Sequence, residues 1–234
     1  MQVVWSTAGA RRHRSAGRSG EILALLGRSG TGKSVLLKLL VGLQRADSGS
    51  IRIHGLEICG MTATPLNEIR KRIGFLFQSA ALYDAMTIEE NVAFPLRRHT
   101  TLSDASRREQ VRQLLASVGM DKERGKMPNE ISGGMQKRVG LARALALAPD
   151  ILLFDEPTTG LDPITAGEIG ELILKLQRQR KVAAIVVTHD VPVARKIADR
   201  LALMRDGRIV GAGSFGDLQH SPDRFITKFL EPAQ

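Results

Sequence analysis

Gly27-Arg28-Ser29-Gly30-Thr31-Gly32-Lys33-Ser34 has the residue types and spacing of a phosphate-binding loop, G-x-x-x-x-G-K-[ST]. Glycines let successive backbone N–H groups turn toward one anion. A helix starting at the end of the loop adds unpaired donors and a favourable dipole. Lys33 has the reach for the β- and γ-phosphates of a nucleotide, and the Ser34 hydroxyl suits Mg2+. The plain alternative is a glycine-rich turn with a stray lysine. The apolar run Ile22–Leu26 before the loop and the helical pattern over 33–43 after it argue against that.

Ile151-Leu152-Leu153-Phe154-Asp155-Glu156 is an apolar strand ending in two carboxylates, roughly 120 residues after the loop. The first acid is placed to hold the Mg2+ shell, and the second to orient and deprotonate an attacking water. Alone, such acids more often cap a helix. A third element, Ile131-Ser132-Gly133-Gly134-Met135-Gln136, puts a hydroxyl and two bare backbones before a helical stretch at 135–147, which makes a second anion cradle. A simple N-capped helix is the alternative reading. Two cradles and one Asp-Glu pair suggest a sandwich, in which the second cradle of one copy covers the nucleotide held by another.

These groups need a rigid frame, and the pattern of elements supplies an α/β one. Strand and helix patterns alternate from Glu21 onward. Residues 51–53 and 73–77 read as strands, and Ile151–Asp155 and Ala183–Thr188 as buried parallel strands. Thr64-Pro65 reads as an N-cap with proline at the first helical position. Thr87-Ile88-Glu89-Glu90 has capping-box spacing. Val111, Leu114, Leu115 and Val118 share one helix face that Gly119 can end. Asp162-Pro163 opens a further helix with Ile169, Leu172, Ile173 and Leu176 inward. The stretch of roughly 85–145 is expected to be an inserted helical subdomain. In the tail, 214–234, Phe225, Ile226, Phe229 and Leu230 could form one amphipathic turn against the body or a partner.

The chain has 234 residues, 43% of them hydrophobic and 25% charged, enough for one large α/β domain with a sizeable core. No apolar run approaches the ~20 residues that span a bilayer, and no secretory h-region opens the chain. A single cysteine, Cys59, excludes an internal disulfide framework and suits a reducing compartment. The net charge is +10, but Arg11, Arg12, Arg14 and Arg18 supply four of those charges within one acid-free segment. Elsewhere both signs mix, which reads as a solvated surface rather than a nucleic-acid stripe.

Taken together and in order, these motifs resemble the nucleotide-binding subunits of ABC transporters, over roughly residues 20–213. The resemblance rests on the phosphate loop, Gln78 after the strand 73–77, Ser132-Gly133-Gly134, Asp155-Glu156, Thr159-Gly160-Leu161-Asp162 and His189 after Ala183–Thr188. Met135 stands where the family usually has glutamine, and Ile131 where it usually has leucine. The resemblance implies a phosphate-loop cassette with a mainly parallel core sheet, binding ATP and Mg2+. It implies that Glu156 is the general base and that His189 holds the γ-phosphate or water. Gln78 would sense γ-phosphate and metal and relay to a membrane subunit, and Asp162 would cross a dimer interface. The expected partners are a second copy of the cassette and an integral membrane permease subunit, at the cytoplasmic face of the inner membrane, with no nucleic acid.

A closer resemblance is to Mla/Mkl-type cassettes, which serve lipid-handling transporters built around MCE-domain proteins. It is carried by Gly74-Phe75-Leu76-Phe77-Gln78-Ser79-Ala80-Ala81-Leu82, by Asn91-Val92-Ala93-Phe94-Pro95-Leu96-Arg97 and by Gly133-Gly134-Met135. It implies a lipid or another hydrophobic cargo and an MCE-domain protein as a further partner. Leu82, Tyr83 and Phe94 are expected at the docking site of the membrane partner. Other readings are a soluble ABC ATPase acting on nucleic acid or ribosomes, and an importer cassette for a polar solute. Against the first, Lys33 and Ser132 lie only about a hundred residues apart without sustained heptads. The family pattern fails at 1–19. Val3-Val4-Trp5 is the only strand-like run there, and Arg11-Arg12-His13-Arg14-Ser15 offers no buried face. This predicts an atypical segment, an incomplete N-terminal antiparallel part, a cassette beginning near Gly20, and poor discrimination between ATP and GTP.

Overall fold

The computed structural model describes residues 2–6, 15–18 and 20–231, the first two stretches as backbone alone. In chain order, β1 (Gln2–Ser6), β2 (Ser15–Arg18) and β3 (Ile22–Leu26) lead to α1 (Lys33–Leu40). Next come β4 (Ser50–Ile53), β5 (Leu56–Glu57), α2 (Ala63–Lys71) and β6 (Ile73–Leu76). Then follow α3 (Ile88–His99), α4 (Asp104–Ser117) and α5 (Gly133–Ala144), with short 3-10 turns at Asp121–Glu123 and Pro128–Glu130. The remainder is β7 (Ile151–Asp155), α6 (Pro163–Arg180), β8 (Ala183–Thr188), α7 (Val191–Ile197), β9 (Arg200–Arg205), β10 (Arg208–Gly213), α8 (Phe215–Gln219) and α9 (Arg224–Leu230).

The larger sheet has the order β10-β9-β3-β8-β7-β6, parallel throughout except for the antiparallel edge pair β9–β10. Every residue of β3, β7 and β8 is buried, as a sheet covered on both faces requires. Their side chains alternate between the faces. Leu23, Leu25, Ile151, Leu153, Ile185 and Val187 pack with Leu36, Leu37 and Leu40 of α1. On the opposite face Leu152, Phe154, Ala184 and Val186 pack with Val139 of α5 and Ile169 and Ile173 of α6. The strand ends carrying the phosphate loop, Gln78, Asp155-Glu156 and His189 therefore lie side by side at the carboxyl edge of one sheet, where α/β proteins hold ligands.

The N-terminal expectation needs correction. β1 lies between β2 and β4 in a four-stranded antiparallel sheet of order β2-β1-β4-β5, with Val3 opposite both Gly17 and Ile53. The antiparallel part is thus built from the N-terminal segment after all. The second strand uses Ser15–Arg18, whose pairing needs only backbone groups and starts past the arginine run. Arg11–Arg14 lie outside the described residues. The expected loss of ATP–GTP discrimination rested on the missing sheet and loses its basis.

Local signals set most helix ends. Thr87 caps α3 with the full box: its N–H donates to Glu90 Oε2 at 2.8 Å, and the Glu90 N–H returns to Thr87 Oγ1 at 3.2 Å. The Asp162 carboxylate caps α6, with Pro163 at its first position. α1 stops at Leu40, short of 43, because Gly42 takes φ +65° and forms a Schellman closure. In that closure Leu43 N–H donates to Lys38 O at 2.8 Å and Gly42 N–H to Leu39 O at 3.0 Å. α2 begins at Ala63 after Thr62, so Pro65 is its third residue, still within the first turn, rather than its first. Between β6 and β7 the chain is helical, with Ile88, Val92 and Leu96 of α3 packed among Val111, Leu114 and Leu115 of α4. In the tail, Ile226 and Leu230 are buried with Leu201, Leu203 and Leu218, so α9 closes on the body.

Candidate nucleotide site

Backbone geometry shapes the phosphate loop. A Cβ on Gly27 would lie 2.6 Å from the Met204 carbonyl oxygen, so only glycine fits beside β9. Gly30 and Gly32 take φ +80° and +95°, values that glycine adopts without steric cost. No side chain caps α1, and no acid occupies its first turn. Its first N–H groups therefore face the loop without a side-chain acceptor, as an anion cradle requires.

Lys33 is buried, and its ammonium donates to Gly27 O at 2.8 Å and Arg28 O at 3.1 Å. It also lies 3.5 Å from Glu156 Oε1. The Ser34 hydroxyl donates to Asp155 Oδ1 at 2.7 Å. A hydroxyl and a carboxylate at hydrogen-bond distance fit Mg2+, which keeps most of its octahedral shell as water and phosphate oxygens. Among the described residues no group of three or more His, Cys, Asp or Glu could form a dedicated metal cage.

Glu156 takes φ +48°, a left-handed value uncommon for a residue with a side chain. Its N–H donates to Val187 O at 2.9 Å, which joins the end of β7 to β8. Oε2 lies 2.8 Å from His189 Nδ1 and accepts from Thr159 Oγ1 at 3.2 Å. The Glu156 side chain is 11% exposed and that of His189 56%, so the imidazole lies on the solvent side of the carboxylate. Gln78 is exposed just beyond β6.

Ser132 and Asp162 belong to a second place. Ser132 Oγ accepts the Met135 N–H at 3.3 Å, and Ser132 and Gly133 are exposed. A Cβ on Gly134 would lie 2.7 Å from Thr165 Cγ2, so the glycine lets α5 close on α6. Asp162 accepts from the N–H groups of Ile164 and Thr165, both at 3.0 Å, and from Thr165 Oγ1 at 2.5 Å. Hydrogen bonds from the Thr165 side chain and backbone hold its carboxyl below the usual carboxylate range. Among the described residues, no hydrogen bond or ion pair joins Ser132, Gly133, Gly134 or Asp162 to Lys33, Ser34, Asp155 or His189.

Some residues in and around the site escape sequence reasoning. Lys137 is 5% exposed on α5, and its ammonium donates to the carbonyls of Gln78 and Glu156. The available signal was a lysine three residues from Gly134 and four from Leu141, on the buried helix face. Asn91 is fully buried and closes the loop after Gln78. It accepts the Tyr83 N–H at 2.8 Å and donates to the carbonyls of Tyr83, Met86 and Thr87. Next to this loop lies a groove of about 360 Å3 lined by Phe75, Phe77, Tyr83, Phe94, Arg143 and Leu147, among others. The Tyr83 and Phe94 rings sit 4.9 Å apart, and Arg143 donates to Ala80 O and Ala81 O at 2.8 Å each. Leu82, expected at the surface with them, packs instead against the helical core.

Residues 16–159 match the family model described as "ABC transporter". The chain is 43% identical over 212 residues to the "Intermembrane phospholipid transport system ATP-binding protein MlaF" of Escherichia coli K12, covering 91% of this chain and 79% of that protein. It is equally similar over 212 residues to the "Probable ribonucleotide transport ATP-binding protein mkl" of Mycobacterium tuberculosis H37Rv, of which it spans 59%. Among solved structures, a dimeric ATP-binding cassette in a post-hydrolysis state, bound to ADP and Pi, superposes with a TM-score of 0.81 at 31% identity. That match covers 91% of this chain and 98% of the other.

Proposed function

Because the chain belongs to the ABC transporter family of ATP-binding cassettes, we propose that it binds and hydrolyses ATP with Mg2+ to drive a membrane transporter of phospholipid or another hydrophobic cargo. The single observation that carries the hydrolytic reading is the contact set of Glu156, whose carboxylate reaches Lys33 on one side and His189 on the other. The phosphate-loop N–H groups and Lys33 hold the phosphates, and Ser34 and Asp155 hold the metal, which neutralises developing charge when bound. Glu156 takes the proton of the attacking water, and His189 positions that water or the γ-phosphate. Catalysis is positioning and charge stabilisation.

Ser132-Gly133-Gly134 and Asp162 lie together and, among the described residues, share no hydrogen bond or ion pair with Lys33 or Ser34, which supports a role toward a second copy. They cover the nucleotide held by that copy in a head-to-tail dimer. The working boundaries are 20–213 for the cassette, with a helical subdomain at about 85–145, preceded by 1–19 and followed by the tail 214–234. No helix among the described residues is long and apolar enough to cross a membrane. The partner in this reading is an integral membrane permease subunit. The same reading puts the cassette at the cytoplasmic face of the inner membrane, with an MCE-domain protein as a further partner of the assembly; it is supported by the likeness to the MlaF relatives. A polar-solute cassette is the second reading, favoured by the likeness to the probable ribonucleotide transport ATP-binding proteins of mycobacteria.

Glu156→Gln tests the hydrolytic reading. It is expected to keep ATP affinity, to lose turnover by about a hundredfold or more, and to accumulate an ATP-bound dimer. Hydrolysis at the native rate in this variant would remove Glu156 from the role of base.

A further inference from the structure

Lys137 is buried on the helix that starts at Ser132, yet it meets no carboxylate at ion-pair distance among the described residues. Its ammonium is spent on backbone. It donates to the carbonyl of Gln78 and, at 3.4 Å, to the carbonyl of Glu156. A lysine ammonium has three donors and no acceptor, so it can hold two carbonyls from different strands at once. Burial pushes its pKa down, and the nearby carboxylates of Asp155 and Glu156 oppose that shift. A compact cation in such a place is costly unless it is fully hydrogen-bonded.

The two carbonyls are not arbitrary acceptors. One belongs to Gln78, two residues beyond the end of β6 and exposed at the start of the loop that leads to Tyr83. The other belongs to Glu156, whose backbone sits at φ +48° and needs surrounding structure to hold it there. The third attachment is α5 itself, whose N-terminus carries Ser132 and Gly133. One side chain thus links the second anion cradle, the Gln78 loop and the backbone of the base.

We infer that Lys137 is a positioning residue for hydrolysis, tying the Gln78 and Glu156 carbonyls to the helix that begins at Ser132 so that these three parts move as one unit. The inference rests on the reading of Glu156 as the base. It assigns Lys137 no contact with nucleotide. Its loss should therefore lower kcat and leave nucleotide binding alone, because a displaced base costs the transition state and not the ground state.

The test uses the full chain and compares Lys137→Met, which keeps the stem without donors, with Lys137→Gln, which keeps a donor without charge. For Lys137→Met the expected loss of kcat is about tenfold or more, with the Kd for a fluorescent ATP analogue within about twofold of native. Lys137→Gln is expected to fall only about threefold, with the same unchanged Kd. Native kcat in Lys137→Met overturns the inference. So does a parallel loss of kcat and affinity in both variants, which would mean a packing role only. If Lys137→Met does not fold, Lys137→Gln decides: lowered kcat at native Kd supports the inference, and native kcat overturns it. Glu156→Gln run alongside separates the two ideas. Native turnover there removes the base assignment, whereas loss there with native kcat in Lys137→Met defeats the Lys137 inference alone.

Discussion

The Ser34 hydroxyl donates to Asp155 Oδ1 at 2.7 Å, joining the start of α1 to the end of β7 across 121 positions of sequence. In the proposed function this pair would hold Mg2+. Asp155→Asn keeps the hydrogen-bond geometry but removes the negative charge. It is expected to raise the Mg2+ concentration for half-maximal turnover by about tenfold or more, while nucleotide binding in EDTA stays near native. Titrating Mg2+ at saturating ATP reads this directly, and an unchanged Mg2+ requirement would exclude Asp155 from the metal shell.

Lys33 and Ser132 separate one-copy binding from two-copy closure. Lys33→Ala removes the charge that faces phosphate and leaves Glu156 without its cation, so nucleotide affinity should fall by at least about tenfold. Ser132→Arg places a bulky cation on an exposed cap and should leave affinity within about twofold, yet prevent ATP-dependent dimerisation. Size-exclusion chromatography with ATP, in a Glu156→Gln background, distinguishes them. Equal loss of binding in both variants would contradict a site shared between copies.

Tyr83 and Leu82 are neighbours that differ in exposure: Tyr83 is exposed and Leu82 partly buried. Tyr83 is 45% exposed at the mouth of the aromatic groove, whereas Leu82 packs inward. Tyr83→Asp is therefore expected to reduce co-sedimentation with membranes containing the permease while Tm changes little. Leu82→Asp should instead lower stability by about 2 kcal/mol or more, because it puts a charge against apolar core. If Tyr83→Asp leaves sedimentation unchanged, the docking surface lies elsewhere.

Among the described residues Phe154 is the largest fully buried side chain, and it sits in β7 directly before Asp155-Glu156. Phe154→Ala should cost about 3–5 kcal/mol in urea unfolding. Gly74→Ala in the adjacent β6 should also destabilise, by about 1–3 kcal/mol, since its Cβ would lie 2.4 Å from Ala144 O. A cost below 1 kcal/mol at both sites would mean that this part of the sheet is looser than its packing indicates.

Cys59 offers a check on the β4–β5 region. Burial, aided by Glu57, pushes its thiol pKa up. The reactive thiolate is then scarcer than for free cysteine at any pH below that raised value, so iodoacetamide at pH 7.5 should label the native chain severalfold more slowly than the urea-unfolded chain. Equal rates would contradict the sheltered thiol.

The chemistry of the phosphate loop, of Asp155-Glu156 and of the Ser132 and Thr87 caps was legible in sequence, because each rests on a backbone requirement satisfied within a few residues. The left-handed glycines at 30 and 32, the box closed by Glu90 and the Asp162 cap all follow from such local rules. The buried strands β3, β7 and β8 were legible too, since a sheet covered on both faces demands continuous apolar runs. Other features depended on what meets what across the fold. The N-terminal strands read as unbuildable because their residues carry little apolar alternation. The pairing of β1 with β2 on one side and β4 on the other is a backbone match that no side-chain pattern advertises. Leu82 and Tyr83 look alike as exposed apolar residues until the turn held by Asn91 packs Leu82 partly against the helical core and leaves Tyr83 exposed. Lys137 reads as an ordinary surface lysine until α5 is laid against β6 and β7, because its acceptors lie 59 and 19 positions away and are backbone carbonyls that every residue possesses. Sequence by itself determined which groups could bind phosphate and metal. Tertiary structure decided which ones share a place, because a long-range contact is selected by the packing of whole elements rather than by the residues that make it.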